Sequence, residues 1–261
     1  MKSRDPGLLV VDIGNTSTTL GVVREGRVAR TARMPSLDGG DSKRVELALR
    51  RLVKPGKVGD AVLCSVVPRL NPVWRHVLHR LTGRDPLLVT HRLRMNVRVD
   101  YPRPEKIGAD RLANAAAAWE RYHGPVVVAD FGTALTFDVI TDDARYVGGV
   151  IAPGLPLMTD YLCERTALLP HIRLSRPDRA IGRSTREAMR IGAIIGYRGM
   201  VREILGEVLE EMGERGISVC ATGGYAGQAV QGLDVKVAVL PNLTLEGIAV
   251  LYGLNRGRVQ G

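Results

Sequence analysis

One pattern occurs twice in the chain and constrains its fold more than anything else. Residues 10–23 read VVDIGNTSTTLGVV and residues 126–140 read VVVADFGTALTFDVI. Each has an apolar run, an aspartate, a short loop of small polar residues, and a second apolar run. Overlaid 118 residues apart, Asp12 falls on Asp130, Gly14 on Gly132 and Thr18 on Thr136. Apolar runs of this length flanking Gly-rich loops predict strands joined as hairpins. The separation is close to half the chain, which predicts internal duplication. Glycine lets backbone approach a phosphate, the loop N–H groups and hydroxyls bind its oxygens, and the aspartates hold a cation or its water shell. Two such hairpins facing each other would make a cleft.

The rest of the chain alternates strand and helix. Residues 7–31 read as strand, turn, strand, with Glu25-Gly26 at the turn. Residues 43–53 have helical spacing stopped by Pro55-Gly56, and 61–68 read as a buried strand ending at Pro68. A helix over 72–82 and a short strand over 86–90 follow. The second half predicts an alanine-rich helix over 108–122, the hairpin, YVGGVIAPG, and one long helix over 185–212 with Ser184 and Glu187 at capping-box spacing. Strands over 217–224 and 235–240 and a helix over 241–255 close it. This order predicts an α/β fold.

Composition narrows the function. The chain is 261 residues long and 45% hydrophobic, enough for a substantial core as one large or two small domains. With two Phe and seven Tyr, that core must rest on aliphatic residues. No stretch is long and apolar enough to span a membrane, and the charged MKSRDPG is not a signal peptide. A soluble cytoplasmic protein is expected. Cys64, Cys163 and Cys220 lie far apart, so reduced structural thiols are expected rather than disulfides or a zinc ribbon. The net charge of +10 comes mostly from dispersed arginines, with only six lysines. Solvated surface and attraction for anionic ligands account for it better than nucleic acid, for which aromatic stacking residues are few. His76 and His79 sit three apart on one helix, but without a third ligand a solvated or packed face is the better account than a metal pair. No P-loop motif and no G-x-G-x-x-G after a strand are present.

Nine motifs in order, DIGNT (12–16), SVVP (65–68), GADR (108–111), DFGTA (130–134), GGVIAPG (148–154), RTALLP (165–170), IGRST (181–185), ATGG (221–224) and PNLTLEG (241–247), resemble those of the type III pantothenate kinase family. That family belongs to the actin-like ATPases, with the sugar and acetate kinases. The resemblance covers nearly the whole chain. It implies two duplicated ribonuclease H-like domains, set at 1–110 and 111–261, with ATP in the cleft between them. It implies ATP-dependent phosphorylation of pantothenate at the start of coenzyme A synthesis, with Mg²⁺, a potassium or ammonium ion, and a homodimer as partners to the chemistry. A non-catalytic regulator of the same fold, or a kinase of another small hydroxylated substrate, is the alternative.

The resemblance also assigns residues. Asp12, Ile13, Gly14, Asn15, Thr16, Ser17, Thr18 and Thr19 form the first phosphate loop, with Asp12 near Mg²⁺; Asn15 alone also suits an Asx turn. The general base falls on Asp110, beside Arg111, although an Asp at a helix start is by itself more often a cap. Tyr101, Gly108, Ala109, Asp110, Arg111 and Thr185 are expected at the substrate, Thr185 equally placed for capping. Thr133, Gly223 and Gly224 are expected at ATP, and Asp130 at the monovalent cation. Two departures stand out: Leu135 replaces a threonine common in the family, and Leu240 an acid. Gly192, Gly196 and Gly199 in the long helix are costly there, which predicts close helix packing at a dimer contact.

Overall fold

A computed structural model describes residues 7–54, 56–213 and 215–256. The charged segment 1–6 and the helix stop expected at Pro55 lie outside the described residues. In chain order the elements are β1 (Gly7–Ile13), β2 (Ser17–Arg24), β3 (Arg27–Pro35), α1 (Ser42–Leu52), β4 (Val58–Ser65), α2 (Asn71–Thr82), β5 (Leu87–Leu88), β6 (Arg98–Val99) and α3 (Ala109–Tyr122). Then follow β7 (Val126–Phe131), β8 (Ala134–Ile140), β9 (Arg145–Pro153), α4 (Leu155–Arg165), α5 (Thr185–Ile191), α6 (Tyr197–Met212), β10 (Ser218–Thr222), α7 (Ala226–Ala229), β11 (Ala238–Val239) and α8 (Leu243–Asn255). Among the described residues no helix is long and apolar enough to cross a membrane.

Compact packing divides the chain elsewhere than at residue 110. One unit holds the described residues of Met1–His123, Ala144–Val147 and Asn242–Gly261; the other holds Gly124–Asp143 and Gly148–Pro241. Residue 110 is in the first turn of α3, and that helix lies wholly in the first unit, as α8 does.

In the first unit the strand order is β3-β2-β1-β4-β5. β1 pairs antiparallel with β2 and parallel with β4. As the central strand β1 is covered on both faces, so its apolar run is continuous rather than alternating. Leu9, Val11 and Ile13 join a cluster with α1 and α2. Val10 faces the other way, into a cluster with Ala109, Ala113 and Ala116 of α3 and Leu245, Ile248 and Leu251 of α8. The α3–α8 contact is close because both helices present small side chains. A Cβ at Gly247 would stand 1.8 Å from the Ala113 carbonyl oxygen, and Thr244 Oγ1 donates to Asn114 Oδ1 at 2.8 Å. The β2–β3 turn has positive φ at Glu25 (51°) and Gly26 (74°), the mirror-image turn a twisted hairpin prefers.

The second unit repeats the plan. Its sheet runs β9-β8-β7-β10-β11, with β7 antiparallel to β8 and parallel to β10, and β10 parallel to β11. Its core packs Val127, Ala129, Phe131, Leu135 and Phe137 against Leu155, Tyr197, Val201 and Leu205. The long helix expected over 185–212 is interrupted: Gly192–Gly196 form a π turn between α5 and α6. An extra residue in a helical turn shifts the phase of the faces that follow. α5 buries no residue fully, whereas Tyr197, Val201 and Leu205 of α6 line up at intervals of four on the core. The Ser184–Glu187 cap forms as expected, Ser184 Oγ accepting from Glu187 N at 3.2 Å.

A candidate phosphoryl-transfer site

The two hairpins share one ladder pattern, with a one-residue correction. Asp12 pairs across the ladder with Thr19 and Ile13 with Thr18. Asp130 pairs with Thr136 and Phe131 with Leu135. The first loop is one residue longer than the second, so Thr136 is the counterpart of Thr19, not of Thr18 as the constant offset had it. Paired residues share a face and their neighbours take the other. Thr18 therefore faces the core with Ile13 and is fully buried. Its hydroxyl bonds Ser36 Oγ at 3.0 Å, and Ser36 donates to the Gly14 carbonyl at 2.6 Å. Thr18 is thus a brace under the loop rather than one of its exposed hydroxyls; Asn15 and Thr16 are exposed at the tip. The same register explains the Leu135 departure. Leu135 is fully buried in the second core, on the face away from Asp130, so an apolar residue suits it. Nothing in the structure explains Leu240.

In the first unit the residues expected at the chemistry converge around the start of α3. Gly108 is the N-cap and Asp110 sits in the first turn, where its Oδ1 accepts from Arg111 N at 2.8 Å. Asp110 therefore does not occupy the cap position. A Cβ at Gly108 would lie 2.5 Å from Asp110 Oδ1 and 3.4 Å from Val66, so glycine makes the room in which the carboxylate sits. Burial pushes the Asp110 carboxyl above its usual value, offset in part by the backbone N–H and charge of Arg111. The Arg111 guanidinium stands 5.9 Å over the Tyr146 ring, and the Tyr101 ring meets Tyr146 edge-on at 6.5 Å. Beside Tyr101 a cavity of about 350 Å³ is lined by Pro102, Arg103 and Lys106. On β1, Asp12 pairs laterally with Cys64 of β4.

In the second unit Asp130 is the penultimate residue of β7, with Thr136 opposite it on β8 and Thr222 beside it on β10. Glycines wrap its loop. A Cβ at Gly154 would fall 2.2 Å from the Thr133 oxygen, whose carbonyl accepts from Gly154 N. At Gly223 (φ 91°) a Cβ would fall 2.6 Å from Asp130 Oδ1. Gly224 is exposed next to it. A carboxylate flanked by hydroxyl-bearing threonines is a hard oxygen donor set, which fits an alkali or alkaline-earth cation rather than a soft metal. Thr185 is the first residue of α5 and is exposed; Ser184 does the capping. His79 Nδ1 lies 3.0 Å from Asp85, and no cluster of metal-binding side chains exists among the described residues.

Sequence reading missed three contributors. Tyr146 was passed over inside a glycine-rich strand, although an aromatic there was available to stack on Arg111 or Tyr101. Tyr197 packs on Phe131 at 6.4 Å, and burial together with the Asp130 charge pushes its phenol up; no local signal marks it. Cys64 reads as filler in an apolar run, yet its register partner is Asp12.

The profile of the family described as type III pantothenate kinase matches residues 8–207. The type III pantothenate kinase of Dehalococcoides mccartyi strain 195 is 35% identical over 254 residues, covering 95% of this chain and 98% of the relative. That of Akkermansia muciniphila is 49% identical over 195 residues, covering 75% and 78%. Among solved structures, a ROK family glucokinase from Streptomyces griseus, in complex with glucose and AMPPNP, shares the fold with a TM-score of 0.55, at 14% identity and over 94% of this chain and 98% of that one. The duplicated sheets, the paired aspartate hairpins and a family match spanning most of the sequence have one common reading: this chain belongs to the type III pantothenate kinase family.

Proposed function

We propose that this chain transfers the γ-phosphoryl group of ATP to the primary hydroxyl of pantothenate, giving 4′-phosphopantothenate and ADP, the first step of coenzyme A synthesis in the cytoplasm. The observation that carries the reading is the Asp110 carboxylate, half-buried at the start of α3, bonded to Arg111 N, with space kept for it by Gly108. Asp110 accepts the hydroxyl proton as the oxygen attacks phosphorus, and the bond from the γ-phosphorus to the bridging oxygen breaks to release ADP. Arg111 supplies positive charge to the anionic partners. Tyr101 and Thr185 contact the substrate. The Gly14–Thr16 loop with Thr19 offers donors to phosphate oxygens, as Thr133 does in the second unit, where Gly223 and Gly224 let the adenosine approach the backbone.

Two ions belong to this reading. Asp12 holds the Mg²⁺ that travels with ATP, and Asp130 holds a potassium or ammonium ion. Both neutralise charge that builds on the phosphates when bound. ADP release should require pantothenate, and should be faster in potassium than in sodium. Equal rates in the two salts would remove the cation role of Asp130; no release in either would move the assignment to another substrate or to a regulatory relative.

The working form is a homodimer. A Cβ at Gly192, Gly196 or Gly199 would meet nothing within 4 Å, so among the described residues no packing neighbour requires these glycines. On α4, Leu157, Tyr161 and Leu162 are 44%, 61% and 39% exposed, an apolar face without cover among the described residues. Light scattering should return the mass of two chains; the mass of one would sink the dimer.

A further inference from the structure

Cys64 has no part in the mechanism above, yet it stands among its carboxylates. Positions 12 and 64 are lateral partners on adjacent parallel strands, so their side chains project to one face. That face is covered by α3. Ala109 and Ala113 of this helix pack in one cluster with Cys64, and Asp110 lies between them in sequence. Cys64 is 0% exposed, so no water competes for its thiol. The Cys64 Sγ–H is hydrogen-bonded to Asp12, as their lateral pairing on adjacent strands allows. In this pair the thiol is the donor and the carboxylate oxygen the acceptor. A hydrogen bond to an ionised acceptor away from water is stronger than one between neutral partners.

We propose that Cys64 is a positioning residue for Asp12: its thiol donates to one carboxylate oxygen, fixes the rotamer of the acid at the end of β1, and leaves the other oxygen for the ATP-bound cation. The proposal rests on the reading of Asp12 as the acid of the first phosphate loop. An aspartate next to the strand end has two side-chain torsions, and Gly14 opens the loop two residues on, so packing alone does not fix its direction. A lateral donor does, and the neighbouring strand offers one in register.

Two variants separate positioning from packing. Cys64→Val has a similar volume and no donor. Cys64→Ser has a donor and a shorter reach. The valine enzyme should show an ATP KM raised about five-fold, the scale of one ordinary hydrogen bond as expected of a weak thiol donor, with pantothenate KM unchanged. The serine enzyme should recover most of the loss. A change in packing would not be rescued by serine, nor fall on ATP alone. A second measurement needs no turnover. The infrared S–H stretch of Cys64, identified by its disappearance in Cys64→Ser, should move to higher frequency in Asp12→Ala as the hydrogen bond is lost. A valine enzyme with the parent ATP KM, or a Cys64 band indifferent to Asp12→Ala, overturns the proposal. If the parent chain shows no pantothenate-dependent ADP release, the assigned function fails, while the infrared band still decides whether Cys64 holds Asp12.

Discussion

Asp110→Asn should lower kcat by about a thousand-fold, within the range of 10²–10⁴ typical of a lost general base, and at the same time raise the melting temperature. The two effects share one cause. Burial holds the Asp110 carboxyl above its unfolded value. A group with a raised folded pKa contributes stability below its unfolded pKa and loses that contribution as pH rises through the folded value. At neutral pH the ionised carboxylate is therefore a net penalty on the fold. Asparagine removes the charge and keeps an oxygen able to accept from Arg111 N. The same shift sets the pH dependence of the parent enzyme. Turnover needs the ionised form, so the acidic limb of kcat should lie above the ordinary carboxylate range, with activity lost as pH falls through it. Steady-state rates and thermal melts across pH decide the matter; a variant with parent kcat would take Asp110 out of the chemistry.

Gly247→Ala should produce the largest loss of stability of any single-methyl addition on α8. The added Cβ would meet the Ala113 oxygen at 1.8 Å and its carbonyl carbon at 2.5 Å. These are backbone atoms of α3 that no rotamer change can move. Overpacking of this kind costs about 3 kcal/mol, equivalent to a fall in melting temperature of roughly 10 °C for a chain this size. Gly253→Ala on the same helix is the comparator. Its Cβ meets nothing within 4 Å, and alanine gains about 1 kcal/mol over glycine in a helix, so that variant should melt at or above the parent. Matching melts for the two would show that α3 and α8 are not in close contact.

Legibility in the sequence followed how local each signal was. The hairpins at Asp12 and Asp130 were readable because strand, loop and strand are contiguous, and because the pattern occurs twice. The exact correspondence was not, since loop length rather than offset sets the ladder: Thr136 matches Thr19, and Thr18 braces Ser36. The Ser184–Glu187 cap was legible three residues at a time, but the π turn that splits the following helix was not. Apolar spacing runs through Gly192–Gly196 without a break, and only packing of Tyr197 and Val201 shows the shift in phase. α4 escaped notice because LPLMTDYLCER carries its apolar residues on no single stripe and exposes several of them. At the site, Asp110 was found through its motif. Tyr146, which meets Arg111 and Tyr101, and Cys64, the lateral partner of Asp12, come from distant strands, and their role exists only in three dimensions.

The order of segments in the two compact units bears on how the chain can come together during synthesis. The second unit draws on nothing beyond Pro241, whereas the first takes α8, Leu243–Asn255, to cover the face of β1 and β4 that carries Val10, Val62 and Cys64. Emerging from the ribosome, the earlier-made sheet holds that apolar face without its full cover until residues beyond 241 arrive, by which point every segment of the other unit is already present. The part of the chain that begins first is the part that closes last.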